Sequence, residues 1–106
     1  MKLNKKINDA LNKQIAHEFE AKMLYLSMAA YFEDQNLKGF AQWMKAQANE
    51  EDTHAMKIFD YVNDRDGKVV LEAIPKPQAN YKNPLDIAKL ALGHERRVTE
   101  IGRAHV

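Results

Sequence analysis

The sequence predicts an all-α protein, with three long helices packed as a bundle and an extended crossover between the second and the third. Three observations predict it. Apolar residues recur at helix spacing through about residues 3–34 and again through about 37–65. The stretch 68–83 loses that period and carries Pro75 and Pro77. Asn83-Pro84-Leu85-Asp86 then opens a third helix, expected to reach about 104, with Asn as cap, Pro in the first helical position and an acid in the first turn.

In the first helix Ile7, Leu11, Ile15, Glu18, Tyr25, Ala29 and Phe32 repeat at three-, four- and seven-residue steps, and no Gly or Pro interrupts them. At ~1.5 Å per residue this element is roughly 45 Å long, the length of a bundle helix rather than of an ordinary globular one. From Met23 to Phe32 only Ser27 is distinctly polar. A helix that is apolar all round needs cover on more than one side. The simplest second cover is another subunit, and a chain of this size gains from association, so a homo-oligomer is expected.

A short turn at Gln35-Asn36-Leu37-Lys38-Gly39 leads into the second helix. Its inward stripe reads Phe40, Met44, Gln47, Glu51, His54, Ile58 and Val62, widened by Trp43, Ala55 and Phe59. Asp66-Gly67 ends it, with Gly67 expected as the left-handed cap. Antiparallel neighbours need only a short loop, so the long 68–83 connection predicts that the third helix starts back at the far end of the bundle. The third stripe reads Leu85, Ala88, Ala91, Leu92, Glu95 and Val98.

The 106 residues suffice for a single domain, 1–106. Sixteen Lys and Arg against fifteen Asp and Glu argue against nucleic acid or a membrane surface as partners bound by bulk charge. With no cysteine, any metal is held by oxygen and imidazole, which favours iron, manganese, zinc or magnesium. No apolar run approaches the ~18–20 residues of a membrane span. Met-Lys-Leu-Asn-Lys-Lys lacks the apolar core of a signal peptide, so a cytoplasmic location is expected.

Chemistry concentrates at Glu51-Asp52-Thr53-His54, a Glu-x-x-His pair that one helical face brings to a single metal ion. Such a pair is common by chance and can also be a plain surface contact; its setting distinguishes it. Glu18 lies seven residues from both Leu11 and Tyr25, and Glu95 lies seven after Ala88 and three before Val98. Buried carboxylates without partners are costly, and three of them converging with one imidazole repel each other unless cations neutralise them. A di-metal site resolves this. Glu50 is one step off the stripe, at its edge or as an accessory ligand. Tyr25 is either a core residue with its hydroxyl tied to Glu18 or Glu51, or a redox partner beside the metal. His17, His94 and His105 flank the pattern as solvent-facing or interface residues. Met23, Met28, Met44 and Met56 read as core side chains rather than haem ligands.

Leu-Tyr-Leu-Ser-Met-Ala (24–29), Gly-Phe-Ala-Gln-Trp-Met (39–44), Glu-Glu-Asp-Thr-His-Ala-Met-Lys (50–57) and Leu-Glu-Ala-Ile-Pro-Lys-Pro (71–77) resemble segments of the prokaryotic-type non-haem ferritins. The resemblance implies a ferritin-like bundle with three helices of the usual four. It also implies a hollow 24-subunit shell that oxidises ferrous iron with dioxygen and stores it as a ferric mineral. Glu18 then corresponds to the first-helix ligand of the ferroxidase centre, Glu51 to the carboxylate bridging two irons, and His54 to the imidazole on the first iron. Glu95 corresponds to the third-helix ligand of the second iron, Tyr25 to the tyrosine beside the centre, and Glu50 to a residue near a third iron. Measured against that family, the chain reads as truncated within its third helix.

Two further readings accompany this one. In the first, two chains pack their first two helices together and build the di-iron site between them, as the encapsulated ferritins do. In the second, the chain is a non-catalytic helical assembly module, motivated by the all-round apolar Met23 to Phe32 segment. Another di-metal carboxylate enzyme on the same bundle is a weaker fit, because such enzymes often carry two Glu-x-x-His motifs and this chain has one.

Overall fold

The computed structural model describes residues 2–93 and is built from helices alone, without strands among the described residues. Helix α1 spans Lys5–Asp34 and α2 spans Lys38–Asp64; α3 begins at 84 and continues to 93. Asn4 caps α1, its side-chain oxygen accepting a hydrogen bond from the Ile7 N–H at 2.9 Å.

Both long helices end in the same way. Asn36, at φ 59°, closes α1, with the Leu37 N–H donating to the Phe32 carbonyl at 2.8 Å. Asp66, at φ 56°, closes α2, with the Gly67 N–H donating to the Val62 carbonyl at 2.8 Å. These are Schellman closures. The left-handed residue of the second is therefore Asp66 and not Gly67, because a short polar side chain tolerates that conformation. Gly67 is needed for room: a Cβ there would lie 2.5 Å from Asn8 Oδ1 and 2.9 Å from Val62 Cγ1.

The seam between α1 and α2 corrects the expected stripe of α2. Ala41, Ala48, Ala55 and Val62, at seven-residue steps, are all fully buried. Small residues at that spacing let the helix backbones approach closely, and bulkier neighbours are displaced outward. Phe40 is 58% exposed and Trp43 51% exposed, so neither is inward as expected. Phe40 instead stacks on Phe32, with ring centroids 5.3 Å apart. Ile7 of the expected α1 stripe is also exposed, whereas Ile15, Tyr25, Ala29 and Phe32 are buried, joined by Met28.

The crossover runs along α1 from one end to the other. At its start Asn8 and Asn12 grip it: the Asn8 side chain donates to the Lys68 carbonyl and accepts from the Lys68 N–H. Asn12 donates to the same carbonyl at 2.8 Å and accepts from the Val70 N–H at 3.0 Å. Near its end the Ser27 and Tyr81 hydroxyls both donate to the Gln78 carbonyl, and Tyr81 packs edge-on against Tyr31 at 5.6 Å. The chain is thereby returned to the beginning of α2, the far-end start that the connection length predicts.

There α3 docks through Ile87, which is fully buried in a cluster with Met28, Phe32, Ala41 and Met44. Its inner face carries Ile87, Leu90 and Ala91, whereas Leu85, Ala88 and Leu92 of the expected stripe are exposed. The anchoring of Ile87 sets the helix rotation, and the short apolar run left two phases open. An apolar cleft of about 1010 Å³ lies between this helix and Phe32, Leu37, Phe40 and Trp43. Glu95, Val98, His94, His105 and the expected extension to 104 lie outside the described residues. The Met23 to Phe32 segment has two sides, with Tyr25, Met28, Ala29 and Phe32 inside and Met23, Leu26 and Ala30 facing outward.

Candidate metal centre

Glu18 sits near the middle of α1, and Glu51 and His54 sit near the middle of α2. An i,i+3 step places Glu51 and His54 on one face of their helix, and the close alanine seam brings Glu18 across to meet them. Their ligand atoms all lie within 4.8 Å of one another. His54 presents Nδ1 to both carboxylates, 3.6 Å from Glu18 Oε2 and 3.7 Å from Glu51 Oε2. Ligand atoms that share one ion at ~2.0–2.2 Å lie roughly 3–4 Å apart, and the spacings from His54 to each carboxylate fall in that range.

The site is graded in depth. Glu51 is buried, at 7% exposed, Glu18 is partly buried, and the His54 ring is half-exposed. Around the three, Gln14 Nε2 donates to Glu18 Oε1 at 3.1 Å. Lys22 Nζ reaches Asp52 Oδ1 at 3.0 Å, tying α1 to α2 one residue beyond Glu51. That ion pair engages Asp52, and Asp52 is not among the converging ligands. Two carboxylates and an imidazole form a hard, oxygen-rich donor set suited to Fe²⁺, Mn²⁺ or Zn²⁺.

The other expected site residues fall as follows. Tyr25, seven residues after Glu18, is buried in the core cluster, as are Met28 and Met44. Glu50 is exposed and outside the converging group. His17 is exposed, as expected of a flanking residue. Met23 and Met56 are exposed rather than core. Glu95 lies outside the described residues. Three polar residues were missed, namely Gln14 against Glu18, and Asn8 and the buried Asn12 against the crossover. Each carries a local signal: Gln14 is four residues before Glu18 on one face, and Asn8 and Asn12 are four apart beside Leu11.

No helix among the described residues is long and apolar enough to cross a membrane. A family model, the ferritin-like domain, matches residues 8–105. A bacterial non-heme ferritin of Staphylococcus saprophyticus is 42% identical over 97 residues, which is 92% of this chain and 58% of that protein. One from Bacteroides fragilis is 36% identical, over 93% of this chain and 62% of that protein. Among solved structures, the open-pore ferritin of the hyperthermophilic archaeon Archaeoglobus fulgidus superimposes with a TM-score of 0.89 at 43% identity, over 94% of this chain and 61% of that one. The chain thus spans about three fifths of the length of the relatives it matches. With the helix order, the lengthwise crossover and the Glu18, Glu51, His54 cluster already in place, these likenesses show that the chain belongs to the ferritin-like family.

Proposed function

We propose that the protein takes ferrous iron as its substrate at Glu18, Glu51 and His54 and stores it after oxidation, as a ferritin does. The observation that carries this reading is the convergence of two carboxylates and one imidazole on one point between α1 and α2. The names of the relatives, bacterial non-heme ferritins, support it. Glu51 holds the deepest position and, by the resemblance, bridges two irons. His54 offers Nδ1 to the first iron, and Glu18 closes the same site from α1. Glu95 completes the second iron site, and Tyr25 lines the centre. Glu50 is left for an outer, accessory role.

In the proposed ferroxidase reaction two ferrous ions lose one electron each, and dioxygen accepts both electrons with two protons. Hard carboxylate donors favour the ferric state and so drive the oxidation. Residues 1–106 act here as one ferritin-like domain in a homo-oligomeric shell, with the outward Met23 and Leu26 and the exposed Val70 and Leu71 supplying apolar contact area. The compartment is the cytoplasm, whose reducing conditions keep iron ferrous. The test is iron oxidation followed optically on wild type, Glu51→Ala and His54→Ala. Loss of rate in both variants is expected, and unchanged rates in both overturn the assignment.

The half-exposed His54 ring leaves one side of the site for a further element to close. In the leading reading this chain's own Glu95 is the further ligand that the resemblance implies; in the two-chain reading a second chain supplies it. Native mass with iron content separates them: one iron pair per chain supports the first, and one pair per two chains the second. A stable oligomer that takes up no iron would leave only the assembly module.

A further inference from the structure

Glu18 engages different partners through its two oxygens. Oε2 points to the converging cluster, 3.6 Å from His54 Nδ1. Oε1 accepts a hydrogen bond from Gln14 Nε2 at 3.1 Å, one helical turn earlier on α1. Only the NH₂ end of a carboxamide can face a carboxylate, so this contact has a fixed sense. Gln14 is itself partly buried, and the pair is shielded from the full competition of water. A glutamate on a helix otherwise samples several rotamers and can offer an ion one oxygen or both. We propose that Gln14 is a positioning residue for the metal centre: it holds Glu18 so that Oε2 alone is presented beside Glu51 and His54, and the ion is bound by Glu18 through one oxygen.

This inference rests on the metal-binding reading above. Ordering Glu18 before the ion arrives lowers the cost of binding, and hydrogen-bonding partners behind ligating side chains typically matter 10–100-fold in metal affinity. The one contact that ties Gln14 to the cluster is its hydrogen bond to Glu18, so in this proposal its effect passes through Glu18.

The experiment titrates Co²⁺ into the full chain, read by visible absorption and calorimetry, for wild type, Gln14→Met, Glu18→Gln, the double variant and Glu51→Ala. Methionine keeps the length and volume of glutamine without its donors. Gln14→Met is expected to melt like wild type, to bind Co²⁺ about 10-fold more weakly, and to show altered visible bands as Glu18 changes its mode of coordination. In the Glu18→Gln background the same substitution is expected to change nothing further. Unchanged affinity and spectrum in Gln14→Met overturn the proposal. So does an equal loss in both backgrounds, which would place the action of Gln14 elsewhere. If wild type binds no Co²⁺ that Glu51→Ala removes, the metal-binding reading falls and this inference falls with it; binding lost in Glu51→Ala but intact in Gln14→Met overturns the positioning role alone.

Discussion

The same two helices meet in two regions with opposite chemistry. Where α1 ends and α2 begins, Met28, Phe32, Ala41 and Met44 pack with Ile87 of α3, and the buried polar residues among those described, Asn12 and Glu51, lie elsewhere. Near the middle of both helices, Glu18, Glu51 and His54 converge instead. The first region is stabilised by its own burial, at roughly 25 cal/mol for each Å² of apolar surface removed from water. The second places carboxylates where solvation is poor, which is costly without a compensating charge. The apolar end therefore carries the fold, and the polar middle is held in place by it.

The largest effect that tests this contrast belongs to the apolar end. Met28→Ala should cost about 2–5 kcal/mol, because a fully buried side chain is removed from the core cluster. Thermal melts with and without Co²⁺ should show a lower midpoint but an undiminished metal-induced rise. Loss of that rise would mean that the two regions are not separable. The next effect belongs to the middle. Metal at 100 times its dissociation constant should add about 2.7 kcal/mol to wild type, and His54→Ala should lose most of that gain with little change in the metal-free melt. An equal metal-induced gain in His54→Ala would break the assignment of the middle region.

Gly67→Ala acts on neither region directly and sharpens the comparison by showing what holds them in register. The added methyl meets Asn8 Oδ1 at 2.5 Å and should cost about 1–3 kcal/mol. Hydrogen exchange should accelerate first at the Lys68 and Val70 amides, which Asn8 and Asn12 hold. The smallest effect is electrostatic. Lys38 and Lys45 flank the partly exposed Glu33, and the hydrogen bond from Lys38 is the main reason that its carboxyl titrates below the usual carboxylate range. Its folded-state value is depressed, so the stabilisation is present above the ordinary carboxylate range and lost as pH falls through the lowered value. Glu33→Gln should therefore flatten the acid limb of the stability profile slightly, and added salt should erase the difference.

Much of this was legible in the sequence, for reasons that differ by residue. The two long helices announce themselves because a 3.6-residue period sustained over many turns has no competing explanation. Glu18, Glu51 and His54 stand out because charged or titratable side chains in apolar stripes require partners. The length of the 68–83 connection predicted its direction of travel. Where a short pattern allowed two phases, the sequence misled: Leu85, Ala88 and Leu92 repeat as plausibly as Ile87, Leu90 and Ala91, and Phe40 looks more like core than Ala41 does.

By itself, then, the sequence determined which segments are helical and which side chains could ligate a metal, because periodicity and donor chemistry are local properties. Tertiary structure alone decided how those helices are rotated and how closely they approach. The alanine seam at 41, 48 and 55 excludes Phe40 and Trp43 from the interface, Ile87 fixes the phase of α3, and Asp66 takes the left-handed turn while Gly67 makes room for Asn8. It also decided that Gln14 stands behind Glu18. Each of these depends on what lies across an interface, and one chain segment carries no information about the volume opposite it until the fold brings the two together.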